Sequence, residues 1–425
     1  MAPLPTLSPR CCPGNVNGAG RGIQGQGPCF FHTLRKLLHR VRMSVRVGPW
    51  PALGLPVLAS ACVPCALGGP TDAGTNEFMA EAPEIWVRSV ELRTAIGYKD
   101  NLLLGRTPTE RSVLIGSGAD LTLARLPLDG KQLSFLLSAD DTRYLQGHAV
   151  DHEDLVVALA QVKVDLSSAW RLGTDLRYVY QDQVVDTSVT ETNLTATGLR
   201  GHGAALLPNV RWDFALNTWL ELSGTAQRQF YKAPLDDYWE GGPKLTVGHD
   251  YGYRSSVSFG YWWNRRDYDT RRQVSLTNTS LPGTSLQFFQ HEVELAWRHN
   301  WDSQRRWRTT TRLGFQVNRD NGPGFYDYAR YLATQQFRYV APAWEFKLQG
   351  RIYYYNFDHQ SVSLTDPTDP HRRQKAVAGV SVRGERKLGK QLKLFAEYEY
   401  EKSLSNRAVD EYQANKIAGG VGWEF

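Results

Sequence analysis

The feature that most constrains the fold is a period of two in hydrophobicity, which recurs in short segments between residues 86 and 425. In residues 307–318, for example, Leu313 and Phe315 alternate with Arg312 and Gln316. Successive side chains of a strand point to opposite faces, so the pattern predicts strands with one apolar face. Two all-β folds fit this pattern, a soluble β-sandwich and a transmembrane β-barrel.

The connections between the segments alternate in length, which favours the barrel. Short connections such as 127–130 and 165–169 alternate with long polar ones such as 181–198 and 267–285. Short turns at one end and long loops at the other are typical of transmembrane barrels, which have an even number of strands. The sequence therefore predicts an all-β, antiparallel up-and-down transmembrane barrel of about sixteen strands, with about 14 or 18 as alternatives. The predicted strands are residues 86–98, 111–125, 132–140, 154–164, 170–181, 199–213, 218–230, 242–252, 254–267, 286–299, 306–318, 327–339, 344–356, 375–386, 391–401 and 412–425.

The last predicted strand ends in an aromatic-x-Phe sequence. Trp423 and Phe425 fall on the same face as Ile417 and Val421, while Glu424 falls on the other. Outer-membrane barrels commonly end in this way, and the machinery that inserts them reads the terminal aromatic residues. We therefore expect Trp423 and Phe425 to act as an insertion signal for the barrel-assembly machinery. An edge strand of a soluble sandwich is the alternative for this stretch alone.

The amino-terminal part of the chain has a different composition. Residues 1–61 contain seven Lys or Arg and no Asp or Glu, which leaves 42 basic and 43 acidic residues in the rest of the chain. The basic balance therefore belongs to the leader, and a nucleic-acid partner is not expected. All five cysteines lie within the first 65 residues, so the remainder has neither disulfides nor thiolate metal sites.

The leader resembles a secretory signal followed by an irregular segment. Met43 precedes Arg46, an apolar run from 51 to 58 and a final Ala-Ser-Ala, which predicts a signal peptide over residues 43–61. Residues 1–42 are then a start-site artefact or a disordered leader, residues 62–84 an irregular periplasmic segment, and residues 85–425 the barrel. Lipidation of Cys62 is the alternative to plain cleavage.

Two short motifs resemble those of a known family. Residues 97–101 read Gly-Tyr-Lys-Asp-Asn at the start of the first long loop, and residues 141–144 read Asp-Thr-Arg-Tyr at the end of a strand. They resemble the type 2 β-barrel porin family, whose genes lie among exopolysaccharide genes of Gram-negative bacteria. The resemblance implies an outer-membrane barrel linked to exopolysaccharide, with polysaccharide as a possible partner. It supplies no catalytic residues.

The charged face of the strands is expected to point into the lumen, the interior of the barrel. A sixteen-strand barrel is wide enough for an aqueous channel unless loops plug it. We therefore expect a channel for small hydrophilic solutes or saccharides, biased towards anions by Arg266, Arg308 and Arg312. The alternative is that the charges only brace the wall. The predicted pore-lining residues are Arg171, Asp175, Arg177, Arg266, Glu292, Glu294, Arg298, Arg308, Arg312, Lys347, Arg351, Lys393, Glu397 and Glu399.

Other segments suggest partners at the outer surface. The basic stretches 265–272 and 371–373 are predicted to contact lipopolysaccharide phosphates or to capture an anionic polymer. Asp236, Asp237 and Glu240 could hold Ca²⁺, although three acids in one loop are more often solvated. No cofactor and no resident metal are expected.

Two further function classes remain open. His291 in a lipid-modifying enzyme is one alternative, weakened by the lack of a recognisable nucleophile. A non-conducting scaffold barrel is the other.

Overall fold

The computed structural model describes residues 85–107, 109–127, 129–190, 196–363 and 369–425. These residues form sixteen antiparallel strands that close into an up-and-down barrel, in which β1 pairs with β16. The predicted architecture and strand number are confirmed. The predicted leader, signal peptide and periplasmic segment lie outside the described residues. The strands are β1 Trp86–Lys99, β2 Ser112–Arg125, β3 Lys131–Tyr144, β4 His152–Asp165, β5 Trp170–Asp186, β6 Ala196–Ala215, β7 Thr218–Tyr231, β8 Tyr238–Tyr251, β9 Ser255–Tyr268, β10 Gln287–Asn300, β11 Trp307–Asp320, β12 Tyr328–Val340, β13 Trp344–Ser361, β14 Arg372–Lys387, β15 Leu392–Ser405 and β16 Tyr412–Glu424.

The two ends of the barrel differ in their connections, as the sequence predicts. At the turn end, connections such as 216–217 and 341–343 are very short, and Asn217 takes a left-handed conformation with a φ of 57° that asparagine tolerates well. At the loop end, the connection between β9 and β10 runs from 269 to 286. The connection predicted at 181–198 is different, because β5 extends into it as far as Asp186 and β6 begins within it at Ala196.

A contact across the barrel identifies its inward face. Asp186 at the end of β5 forms an ion pair with Lys375 of β14, although six strands lie between β5 and β14 on the shorter way round. Only side chains that point into the lumen can make such a contact, so the face of β14 that carries Lys375 is the inward one. Residues paired directly across neighbouring strands share a face, so the register carries this assignment from Lys375 round the wall. Asp186 itself falls on the other parity of β5, in the part of the strand that no longer pairs with β4.

The outward face carries a continuous apolar band. On this face leucines and phenylalanines are about half exposed, and Leu313, for instance, is 47% exposed beside its register partner Leu295. A belt of exposed tryptophans marks the turn end of the same face. Trp170 and Trp212 stack there with ring centroids 5.6 Å apart. Further exposed members of the belt are Trp301, Trp307, Trp344 and Trp423.

The carboxyl terminus completes the closed sheet. The amide of Phe425 donates to the Val90 carbonyl at 2.8 Å, and the Val90 amide donates back to the Phe425 carbonyl at 3.3 Å. The Phe425 ring stacks on Trp423 at 6.3 Å on the outward face. Both aromatic residues therefore join the seam between β1 and β16, where every backbone group needs a partner if the barrel is to stand in hydrocarbon.

Candidate functional site in the lumen

The register places the predicted pore-lining charges on the inward face. This holds for each of the strands that carry them, β5, β9, β10, β11, β13 and β15. Two of these charges form ion pairs with neighbouring parts of the wall. Arg266 pairs with Glu240 of β8 at 2.6 Å, and Glu292 pairs with Arg330 of β12 at 3.0 Å. Neither Arg308 nor Arg312 pairs with Glu292 or Glu294.

Several ion pairs cross over an intervening strand where that strand has a glycine. Arg93 of β1 reaches Asp140 of β3 at 2.7 Å above Gly118 of β2. A Cβ at Gly118 would lie 2.6 Å from the Asp140 carboxylate and 2.9 Å from the Arg93 guanidinium. Gly379 leaves room in the same way for the pair formed by Arg351 and Glu401. The glycines therefore allow ion pairs between strands that lie on either side of an intervening strand, and these pairs stabilise the wall.

Arg177 and Arg312 differ from the inward charges that form ion pairs. Both point inward, yet both are exposed to solvent, and neither forms an ion pair with an acid of the described residues. The inward neighbours of Arg312 in the register are Ala296 and Thr334, which carry no charge. Inward side chains are exposed only where the lumen leaves space that water can enter. The lumen is therefore open around these two arginines.

The ends of β5 and β6 form a hairpin that leaves the wall. Pairing of β5 with β4 ends at Asp182, and pairing of β6 with β7 ends at Gly201, whereas β5 and β6 continue to pair with each other as far as Asp186 and Ala196. We call residues 183–190 and 196–199 the inner hairpin. Because it has lost both neighbours in the wall, it is free to bend into the lumen, and its described residues contact the opposite wall.

Two cations of β14 hold the inner hairpin. Lys375 pairs with Asp186 and donates to the Ser188 hydroxyl at 2.6 Å. Arg373 donates to the Ser188 carbonyl at 2.8 Å and pairs with Asp410 at 2.7 Å. Lys375 is 1% exposed and Arg373 is completely buried. We call this group the latch, consisting of Asp186, Ser188, Arg373 and Lys375.

The inner hairpin also touches two other parts of the lumen. Val184 packs with Leu104, Tyr412 and Ala414, which belong to the β1–β2 connection and to β16. Arg271, in the β9–β10 connection, donates to the Thr190 carbonyl. The hairpin thus spans the loop end of the lumen from β5 to β14 and narrows the opening there.

Aromatic side chains fill the lumen on the β8–β12 side of the loop end. The rings of Tyr238, Tyr268, Phe288 and Tyr326 follow one another at centroid distances of 5.4 to 5.5 Å, and all four are buried. The Arg271 guanidinium lies 5.0 Å from the rings of Tyr268 and Tyr326. This side of the opening is therefore closed by packed side chains.

The β11–β12 connection is fixed in this aromatic cluster by a single carboxylate. Asp320 accepts hydrogen bonds from the backbone amides of Gly322, Gly324 and Tyr326 at 2.8 to 2.9 Å. Asp327 closes the turn by accepting from the Asp320 amide at 2.8 Å, and burial raises the pKa of the Asp327 carboxyl. These bonds turn the chain inward and bring Tyr326 to Phe288.

A cavity of about 270 Å³ occupies the opposite side of the lumen. It is bounded by strands β1 to β5 and β14 to β16, and Gln183 of the inner hairpin lies at its edge. Both acidic and basic side chains line it. The charged inward residues that line it are Arg93, Asp140, Glu153, Arg383, Glu397, Glu399 and Lys416.

The basic stretches predicted as loop entrances lie partly inside the barrel. Arg266 is inward and paired, Arg271 is buried, and Arg373 is the buried cation of the latch. Arg373 lies inside the barrel because β14 begins at Arg372, three residues before its predicted start. Arg265 points outward and is exposed, beside Asp267 at 2.8 Å, and Arg272 and Arg372 are exposed as well.

The acids suggested for Ca²⁺ have other partners. Asp236 accepts from the Thr270 hydroxyl, Asp237 from the Tyr231 amide at 2.7 Å, and Glu240 pairs with Arg266. Within the described ranges, no group of three His, Cys, Asp or Glu side chains could hold a metal ion. No helix in the described part of the chain is long and apolar enough to cross a membrane. His291 points outward and shares a hydrogen bond of 2.7 Å with the Tyr261 hydroxyl.

The latch and the inner hairpin could not be found from the sequence. Asp186 and Lys375 are 189 residues apart, and no local pattern relates them. A visible signal was the long stretch between the clear parts of β5 and β6, which is longer than a simple turn requires. Only barrel closure brings this stretch to β14.

The chain is similar to solved outer-membrane barrels in strand arrangement. Acinetobacter baumannii OccAB1 aligns with a TM-score of 0.44 and 9% identity over 81% of this chain and 99% of that chain. An anion-selective porin from Comamonas acidovorans aligns at 0.40 and 13% over 80% and 99%. A bacterial polysaccharide outer membrane secretin aligns at 0.39 and 13% over 79% and 97%. Similarity of this degree assigns no function.

No protein-family model and no curated protein sequence matches the chain. The resemblance of residues 97–101 and 141–144 to the type 2 porin family thus rests on those two motifs.

Proposed function

We propose that this chain is an outer-membrane channel for small hydrophilic solutes, saccharides among them. The observation that carries the proposal is the exposure of Arg177 and Arg312 on the inward face, which requires space inside the barrel that water can enter. The outward apolar band and the tryptophan belt suit a bilayer and its interface. The proposed function includes no catalytic role.

The inner hairpin sets the aperture of the proposed channel. On one side the aromatic cluster closes the loop end, and on the other the cavity leaves space beside Gln183. The solute path is therefore eccentric and follows the wall formed by β1 to β5 and β14 to β16. Each solute must pass the latched hairpin, so the hairpin's position decides the conductance.

The proposal includes three partners. Trp423 and Phe425 form the signal for the barrel-assembly machinery. The outward arginines of the loop end, Arg143, Arg200 and Arg265, lie where lipopolysaccharide phosphates would meet the barrel, and arginine forks suit phosphate. Polysaccharide is the third partner, and the two type 2 porin motifs support an exopolysaccharide role.

Anion selectivity tests the proposal. We expect the native barrel to favour anions, because Arg177 and Arg312 have no acidic partner in the described structure while most other inward charges do. Low-dielectric walls strengthen the field of such charges across a pore. The Arg177→Glu/Arg312→Glu barrel should show a lower ratio of anion to cation permeability in reversal-potential measurements across a KCl gradient. The shift should be largest at low salt, because screening acts over about 8 to 10 Å at 0.1 to 0.15 M.

A matched control lies on the outside of the same barrel. Arg265→Glu also reverses an exposed arginine but on the outward face, and it should leave the permeability ratio unchanged. An unchanged ratio in the double variant would show that the two arginines do not face the ion path. The Arg308→Glu/Arg312→Glu pair extends the test to the arginines singled out by the sequence.

The latched hairpin and the packed aromatic cluster favour a second candidate, a non-conducting scaffold barrel. Such a barrel would give no current in any of these variants.

A further inference from the structure

The lumen cavity contains one acidic side chain that lacks a cation. Arg93 is shared by Asp120 and Asp140, and Glu153 binds Lys99 at 2.7 Å. On β15, Glu397 takes both available cations, Arg383 at 3.0 Å and Lys416 at 2.9 Å. Glu399, the next inward residue of β15, has no cationic group of the described residues within 4.0 Å.

The local geometry explains why Glu399 has no cationic partner among the described residues. Three consecutive inward residues of β15 are glutamates, at positions 397, 399 and 401. Glu401 pairs with Arg351, and Lys416, the direct register partner of Glu399, turns to Glu397 instead. The Glu399 oxygen Oε2 is shielded from solvent and accepts no hydrogen bond from the described residues. A shielded acceptor without a partner is unfavourable, so a donor brought to the Glu399 carboxylate is favoured.

We propose that this cavity is a binding site for a small hydroxylated solute that carries one ammonium group, with the ammonium on Glu399. The other charged groups of the cavity already satisfy one another, so an added carboxylate or phosphate has no free cation to meet. Thr142, Ser117 and Gln183 line the same cavity and can exchange hydrogen bonds with hydroxyl groups.

The size of the cavity supports a solute of one ring. Pockets for drug-sized ligands measure about 300 to 1,000 Å³. At about 270 Å³ this cavity lies just below that range and suits a single amino sugar better than an oligosaccharide. The inference deepens the proposed function, because the cavity lies on the proposed solute path.

Isothermal titration of the folded full chain in detergent tests the binding site with two probes. Glucosamine and N-acetylglucosamine share the sugar ring, but only glucosamine carries an ammonium group at a pH where its amine is protonated. The native protein should bind glucosamine at least about tenfold more tightly, which equals about 1.4 kcal/mol. Equal affinity for the two probes, or no binding of either, would overturn the inference without any variant being needed.

Two variants locate the site. Glu399→Gln keeps the shape of the side chain and removes its charge, so it should abolish the preference for glucosamine. Glu221→Gln is the control, because Glu221 is an inward glutamate of β7 that does not line the cavity. Unchanged preference in folded Glu399→Gln protein would contradict the assignment. Binding is measured without a membrane, so a barrel that binds glucosamine but carries no current separates this inference from the channel proposal.

Discussion

The Lys375→Glu barrel should pass severalfold more current per channel than the native barrel. Lys375 is 1% exposed and holds the inner hairpin through Asp186 and Ser188. Removing one partner of a buried ion pair typically costs about 3 to 5 kcal/mol, because the remaining charge is left unpaired. Here the substitution also places two carboxylates against each other. The hairpin can relieve both costs by moving away from β14 towards water, which widens the aperture.

A charge swap distinguishes release of the hairpin from general damage. Asp186→Lys alone should also raise the conductance, whereas Asp186→Lys/Lys375→Glu restores opposite charges and should return it towards the native value. Single-channel recordings in planar bilayers measure all three variants. Heat-modifiable gel mobility shows whether each barrel is folded. If folded Lys375→Glu and native channels conduct alike, the latch does not set the aperture.

The Leu313→Arg barrel should assemble poorly, whereas its neighbour Arg312→Ala should fold normally. Leu313 is an exposed residue of the outward apolar band, and a cation there at the midplane of a bilayer costs roughly 2 to 4 kcal/mol. Arg312 points inward to water, so its removal deletes a charge without exposing a polar group to lipid. Urea unfolding in lipid vesicles measures the difference in stability.

The two substitutions test the assignment of faces because they are adjacent in sequence. A slip of one residue in the register would exchange the faces of β11 completely. Leu313→Lys is a second cation at the same position and should behave like Leu313→Arg. Equal stability of Leu313→Arg and Arg312→Ala would mean that β11 does not present Leu313 to lipid.

The sequence predicted the strands of the barrel wall and their two faces, but it did not predict the contacts inside the lumen. The alternation around Leu313 and Arg312 can be recognised within a single strand. Each strand has one face towards an apolar medium and one towards water, and successive side chains point to opposite faces. The strand number follows from counting such segments, and the structure confirms sixteen. Predicted boundaries were too short where the strands extend beyond their alternating part, as at β5 and β14.

The contacts inside the lumen depend on the closed ring, which no local pattern encodes. Asp186 and Lys375 meet because the inner hairpin reaches across the lumen to β14, and Arg93 meets Asp140 because Gly118 leaves room between them. Sequence reasoning located the inward charges by parity, but it could not tell which would be paired. Arg266 is neutralised by Glu240, whereas Arg312 is not, and this difference decides which arginine can act on a passing ion.

Single-channel current through the native full-length barrel in a planar bilayer is the most direct test of the proposed channel. The open lumen around Arg177 and Arg312 predicts discrete current steps in KCl that favour anions and grow when the latch is broken by Lys375→Glu. Folded protein that carries no current, both as the native chain and as the Lys375→Glu variant, would contradict the channel and favour the scaffold barrel.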